Sequence, residues 1–198
     1  MNAKYEFVEN DTVKVNGKTL KRIRALVAIA AYCVLPGDIG GYIETEVNLS
    51  VHGDAWVSDN ARVYGDARVY GNARVYGDAR VHGDAWVSDN ARVYGDAQVY
   101  GDAWVYGDAQ VYGNAQVHGD ARVYGDAQVS PIVVSGLLYD VTILDTHMAI
   151  GCQYHSLKNW SEFDNNKIIE IDGKNALRFW MHNKDSIIGL ARASGRIF

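Results

Sequence analysis

Cys152 and His155 form a Cys-x-x-His pair with His147 nearby, and this trio comes nearest to reactive chemistry in the 198-residue sequence. A thiolate beside an imidazole can ligate zinc or serve as nucleophile and base. A structural zinc site takes four ligands and no second cysteine pair exists, while a Cys–His nucleophile needs an orienting third group that the sequence does not show. The expectation is therefore a buried Cys152 and a His155 that opens a helix, with no catalytic residue, metal or cofactor assigned. Three further histidines, His52, His82 and His118, recur in one slot of a repeated unit otherwise filled by Tyr or Ser. A general base needs a substrate proton within reach and usually an orienting partner, and the repeat supplies neither. Eleven aspartates between Val51 and Ser130 (54, 59, 66, 78, 84, 89, 96, 102, 108, 120, 126) offer oxygens that calcium accepts. The simpler reading gives each Asp to its own turn in solvent.

The elements that must hold these groups follow from the period. The unit is Val-Tyr-Gly-Asp-Ala-Arg, with Val at every sixth residue from Val51 to Val129. Within Ala-x-Val-x, alternate residues of an extended chain face opposite ways, so Ala and Val point to one side and form the core. Gly-Asp and Gly-Asn are turn dipeptides, because Gly accepts a positive φ and Asp or Asn tolerates a left-handed backbone. Each hexad is a short strand plus a corner, and the array is an all-β solenoid.

Open solenoid ends invite pairing with other molecules and need covers. Tyr5 to Ile29 reads as two strands around the Asn16-Gly17 turn, a hairpin signal. Beyond Pro131 the period decays through Val133, Leu137, Val141 and Ile143, and Leu157–Phe163 and Lys174–Ala193 carry helical spacing, with Asp172-Gly173 introducing the second helix. The expected organisation is an N-terminal β cap and lead-in coil over 1–50, a repeat β-helix over 51–143, and a C-terminal α-rich cap over 144–198. Trp160, Phe163, Phe179 and Trp180 are expected in the core of that last segment.

Net charge is −5, and the array alone carries six Arg against eleven Asp, which accounts for all of it. An acidic repeat surface disfavours duplex nucleic acid, whose binding runs through phosphate contacts, although it leaves a nucleic-acid mimic open. The longest apolar stretch, Ala25–Leu35, is shorter than the ~20 residues that span a bilayer. Two distant cysteines and no basic, apolar leader point to a reducing, cytoplasmic compartment without membrane attachment.

Hexads with an aliphatic first residue resemble the left-handed parallel β-helix family of hexapeptide-repeat proteins, which implies triangular coils of 18 residues; the spacing alone also allows a flatter coil of two hexads. The segments Gly37-Asp-Ile-Gly-Gly-Tyr-Ile, Gly53-Asp-Ala-Trp-Val-Ser-Asp-Asn-Ala and Ile150-Gly-Cys-Gln-Tyr-His-Ser-Leu-Lys-Asn-Trp resemble enterobacterial and phage or prophage members of unknown function. An 18-residue coil writes down three outer faces. One holds Trp56, Arg74, Arg92, Gln110 and Gln128; a second holds Arg62, Arg80, Gln98 and Gln116. The third holds Arg68, Trp86, Trp104 and Arg122 beside Tyr70, Ser88, Tyr106 and Tyr124. Arg68, Tyr70, Trp86, Trp104, Tyr106 and Arg122 are the binding or interface candidates, because Trp, Tyr and Arg are the types enriched in interface hot spots. The same residues could form a self-contained ladder, a contact between subunits or a ligand surface. Asp66, Asp84, Asp102 and Asp120 fall in one corner column, whereas the other two corners mix Asp and Asn.

The functional expectation is a non-enzymatic binding or scaffold protein. The resemblance implies a homo-oligomer, a trimer being favoured, and a phage-encoded protein that acts on a host protein or sequesters a small, nucleotide-like signalling ligand. Two alternatives stand beside it: a purely structural oligomer, and an acyltransferase, since several hexapeptide-repeat proteins are acyltransferases with a His base.

Overall fold

The computed structural model describes residues 3–125, 127–196 and 198, so Asp126 lies outside the described residues. The chain divides into two compact units, Met1–Ser130 and Pro131–Phe198.

In the first unit the period becomes coils. β1 (Tyr5–Val15), β2 (Lys18–Ala25) and β3 (Ile39–Ile43) precede twelve two-residue strands among the described residues, β4 to β15, one per hexad from Trp56–Val57 to Arg122–Val123. Every third strand pairs in parallel: β4, β7, β10 and β13 make one sheet, β5, β8, β11 and β14 a second, and β6, β9, β12 and β15 a third. That pairing settles three hexads per coil over two. Backbone N–H groups donate to the next coil, as from Arg80 to the Ala97 carbonyl at 2.9 Å. The inner Val side chains from Val57 to Val123 are fully buried, as are the Ala side chains from Ala55 to Ala109. A small and a medium residue alternating inward let three sheets close on a narrow axis without voids.

Corners are set by one backbone requirement. Gly77 has φ +71°, and a Cβ there would stand 3.0 Å from the Gly95 nitrogen one coil on, so both conformation and space select glycine. Asp59 and Asp89 occupy the same slot at φ 57° and 56°. Each answers the strain with a bond: their Oδ2 atoms accept from the Gly77 N–H at 3.0 Å and the Gly107 N–H at 3.1 Å.

The hairpin forms as expected, with Asn16 and Gly17 at φ 50° and 79°. β2 then pairs antiparallel with β3, and β3 runs parallel to β5, so the hairpin extends one solenoid sheet at its N-terminal edge. The lead-in departs from the six-residue period. Leu49 bridges to Val69 and Val57 pairs with Val75, which makes the step from Leu49 to Val57 eight residues and puts Val51 outside the core at 46% exposure. At the other end Val129 is 45% exposed.

The second unit has the helices expected of the C-terminal third and adds a sheet before them. β16 (Ile132–Val134), β17 (Val141–Ile143), β18 (His147–Ile150) and β19 (Gln153–Ser156) form an antiparallel meander, followed by α1 (Leu157–Glu162) and α2 (Asn165–Ala193). Residues 131–143 therefore stand with the C-terminal unit instead of the coils, and that α-rich unit carries a four-stranded sheet beside its helices. Strands of three or four residues give too few alternations to be told from a decaying repeat. Ser156 caps α1 by accepting from Asn159 N, and Asp164 caps α2 by accepting from Lys167 N at 2.8 Å. Backbone angles leave the helical region at Asp172 and Gly173, so the expected break is present, but a further helical stretch precedes it. Met148, Leu157, Trp160, Ile168, Phe179 and Trp180 lead the core, with Phe163 packed against it.

Candidate functional site

The third face is built by β6, β9, β12 and β15, whose register places Arg68, Trp86, Trp104 and Arg122 in one column. The Trp86 and Trp104 rings stack with centroids 5.0 Å apart and planes 3° apart. The Arg68 guanidinium lies 5.6 Å over the Trp86 ring and that of Arg122 lies 5.4 Å over Trp104. Each indole thus has its neighbour's ring on one face and a guanidinium over the other. Tyr70 meets Trp86 edge-on at 5.8 Å, Tyr106 meets Trp104 edge-on at 6.5 Å, and Tyr106 stacks on Tyr124 at 4.9 Å. Burial, together with nearby Asp89 and against Arg122, raises the Tyr106 phenol above its usual range. All six candidates stand on one sheet face, and Trp104 remains 39% exposed. Val47, Ser50, Arg68, Val69, Tyr70 and Trp86 line a shallow depression of ≈ 340 Å³ at the N-terminal end of this face.

The other faces ladder too. Tyr76, Tyr94 and Tyr112 stack at 4.8 and 5.2 Å, and Tyr64, His82, Tyr100 and His118 at 4.8, 5.1 and 5.2 Å. His82 is enclosed between two tyrosine rings, and burial with the Arg80 charge holds its pKa below the ordinary value. Trp56 breaks the outward pattern: it is 1% exposed, because the lead-in chain folds across it and brings Gly40 so close that a Cβ would stand 2.8 Å from the indole. The same segment lays the Tyr32 ring on Arg74, with its hydroxyl donating to the Asn72 carbonyl. Nothing in a hexad reveals that its outer position will be covered by a segment outside the repeat.

Two corner columns carry amides among their carboxylates. Asn60 donates to Asp78 at 3.4 Å, Asn72 to Asn90 at 3.2 Å, and Asn90 to Asp108 at 2.9 Å. Asp66, Asp84, Asp102 and Asp120 have no amide between them and are exposed. Among the described residues no group of three or more His, Cys, Asp or Glu is placed to hold a metal ion.

Cys152 is exposed, in the tight turn between β18 and β19 where Gly151 has φ 55°, and not buried. His155 does not open a helix. It sits on β19 opposite Met148, edge-on to Trp160 at 5.3 Å and Phe163 at 5.1 Å, and burial together with Lys167 lowers its pKa. Strand β19 is thus what separates the Cys152 thiol in solvent from an imidazole packed on aromatic rings. A small cavity of ≈ 20 Å³ beside Tyr139, Trp160, Phe179 and Trp180 has room for about one water.

The model of the YdcK beta solenoid repeat matches residues 55–71, 67–83, 97–113 and 115–130, all within the coils. The chain is a repeat β-solenoid protein. A search of curated proteins finds no match to it. No described helix of the solenoid protein is long and apolar enough to cross a membrane.

Proposed function

We propose that this β-solenoid is a non-enzymatic docking protein whose third face is its contact surface. The observation that carries the reading is the exposed edge of the Trp86–Trp104 pair, held rigid by Arg68 and Arg122. A pre-ordered aromatic surface loses little side-chain entropy on association, which is the condition for a hot spot. With both ring faces occupied, a nucleobase has no indole plane to stack on unless Arg68 or Arg122 is displaced. This favours a protein partner over the nucleotide-like ligand.

The acyltransferase alternative fares worse on geometry. His82 is stacked on both faces, and among the described residues no carboxylate or carbonyl is seen to orient it. The resemblance to phage and enterobacterial proteins gives the docking reading its setting, a cytoplasmic protein that occupies a host protein. A homotrimer joined through the same face is the second reading, favoured by the 39% exposure of Trp104.

The test replaces Trp86 and Trp104 together by Ser. The variant is expected to keep its circular dichroism and to lose proteins that copurify with the wild type from the native host. Unchanged solution mass and an unchanged set of copurifying proteins would remove the third face as a contact surface. Thioester turnover abolished by His82→Ala or His118→Ala would instead restore the enzyme.

A further inference from the structure

Charge is distributed unevenly along the coils. Over residues 51–92 six Asp face five Arg, whereas over 93–130 five Asp face Arg122 alone, because the outward position changes to Gln98, Gln110, Gln116 and Gln128. Those segments therefore carry −1 and −4 and together make up the −5 of the whole chain.

The third face is framed by a column of four aspartates with no asparagine between them. Each of its outward residues follows an aspartate of the unbridged column by two positions: Asp66 before Arg68, Asp84 before Trp86, Asp102 before Trp104, Asp120 before Arg122. A row of indole and phenol edges thus runs beside a rail of four exposed carboxylates at one-coil spacing, close to 4.8 Å. The remaining columns carry two Asn each, Asn72 with Asn90 and Asn60 with Asn114, which break the row of carboxylates, although Asp78 and Asp96 still adjoin. The rail beside the aromatic row has no such break from Asp66 to Asp120.

From this we infer that the third face docks a basic protein segment, one that presents Lys or Arg side chains to the aspartate rail and apolar side chains to the Trp86, Trp104 and Tyr106 edges. The inference rests on the docking reading above and narrows its partner. Carboxylates attract cations and repel phosphate or carboxylate ligands, which turns an anionic partner away. The guanidiniums of Arg68 and Arg122 are engaged on the indole faces and stand at the two ends of the row, so its middle, at Asp84, Asp102, Trp86 and Trp104, is acidic and apolar. A second copy of the chain fits this middle less well. Its own third face is equally acidic, and its Arg74 is held under Tyr32.

The experiment is a fluorescence-anisotropy titration of the full chain with a short labelled peptide alternating lysine and leucine, and with its glutamate counterpart. Binding of the lysine peptide is expected, weakening with salt, with none of the glutamate peptide. The quadruple change Asp66→Asn, Asp84→Asn, Asp102→Asn and Asp120→Asn should weaken it ~10-fold, and Asp54→Asn with Asp108→Asn, on a bridged corner, should leave it within ~2-fold. Equal losses from the two corners, or equal binding of the two peptides, overturn the inference. Copurifying partners lost on Trp86→Ser/Trp104→Ser but kept on the quadruple Asn change would leave the docking surface standing and refute the basic partner. Partners kept by both variants would refute both readings. A wild-type oligomer by light scattering that the tryptophan changes dissociate would assign the face to a second copy and overturn the inference as well.

Discussion

At the scale of single residues, a repeat turns small stereochemical facts into fixed rules, and the exceptions show what each rule is for. Asp89 takes the left-handed slot otherwise held by Gly and bonds Gly107 N. Asp89→Gly loses the bond but relieves the backbone, so its effect on stability is expected to stay within about 0.5 kcal/mol; Asp89→Ala loses the bond and keeps the strain, and should cost about 2 kcal/mol. Urea denaturation of the two variants checks the ordering, and a costlier glycine would show that the bond outweighs the strain. Lys4 is the other exception. It is 4% exposed with its Nζ donating to the Ala55 carbonyl at 2.7 Å, and burial lowers its pKa to about 8, against the partly opposing pull of Asp54. Because the folded pKa lies below the unfolded one, the unfolded chain holds more protons between pH 8 and 10.5, and stability rises with pH across that window. Relative to Lys4→Met, the wild type should gain on the order of 3 kcal/mol from pH 7 to 10.5, measured by denaturation at each pH. A flat difference would show that Lys4 titrates alike in both states.

At the scale of elements, two-residue strands are stable only because each pairs above and below and seals Val and Ala inside. Val99, fully buried on β11 between β8 and β14, has coils on both sides. Val99→Ala should cost about 2 kcal/mol, whereas Val129→Ala at the 45% exposed end should cost under about 0.5 kcal/mol. Thermal unfolding separates the two, and equal losses would mean that the last hexad is as tightly packed as the middle coils. The hairpin contributes by occupying the sheet edge at β3 that would otherwise be open to pairing. Stacked rings add about 1 kcal/mol per pair, so the Trp86–Trp104 stack stabilises its coils while also presenting its edges outward.

At the scale of the whole molecule, the two units are expected to unfold separately. The core of Pro131–Phe198 is made by its own strands and helices. Residues 131–198 expressed alone should give a cooperative thermal transition with mixed helix and strand dichroism; a disordered spectrum would show that this unit depends on the coils.

The sequence by itself determined the solenoid. A six-residue period with an inward Ala and Val, an outward polar pair and a Gly-Asp corner admits few other arrangements. The 18-residue coil that the family resemblance implies then nominated Trp86, Trp104 and their arginines, and the strand pairing has the same column. Only the tertiary structure decided that three hexads close each coil, because strand pairing is a long-range choice. It alone covered Trp56, when a segment outside the period folded across it, and it alone filled both faces of the indoles, so that a surface suited by composition to stacking offers edges. The C-terminal sheet escaped the sequence because its strands are as short as the repeats they follow, and Cys152 with His155 because one strand put the thiol in solvent and the ring against Trp160.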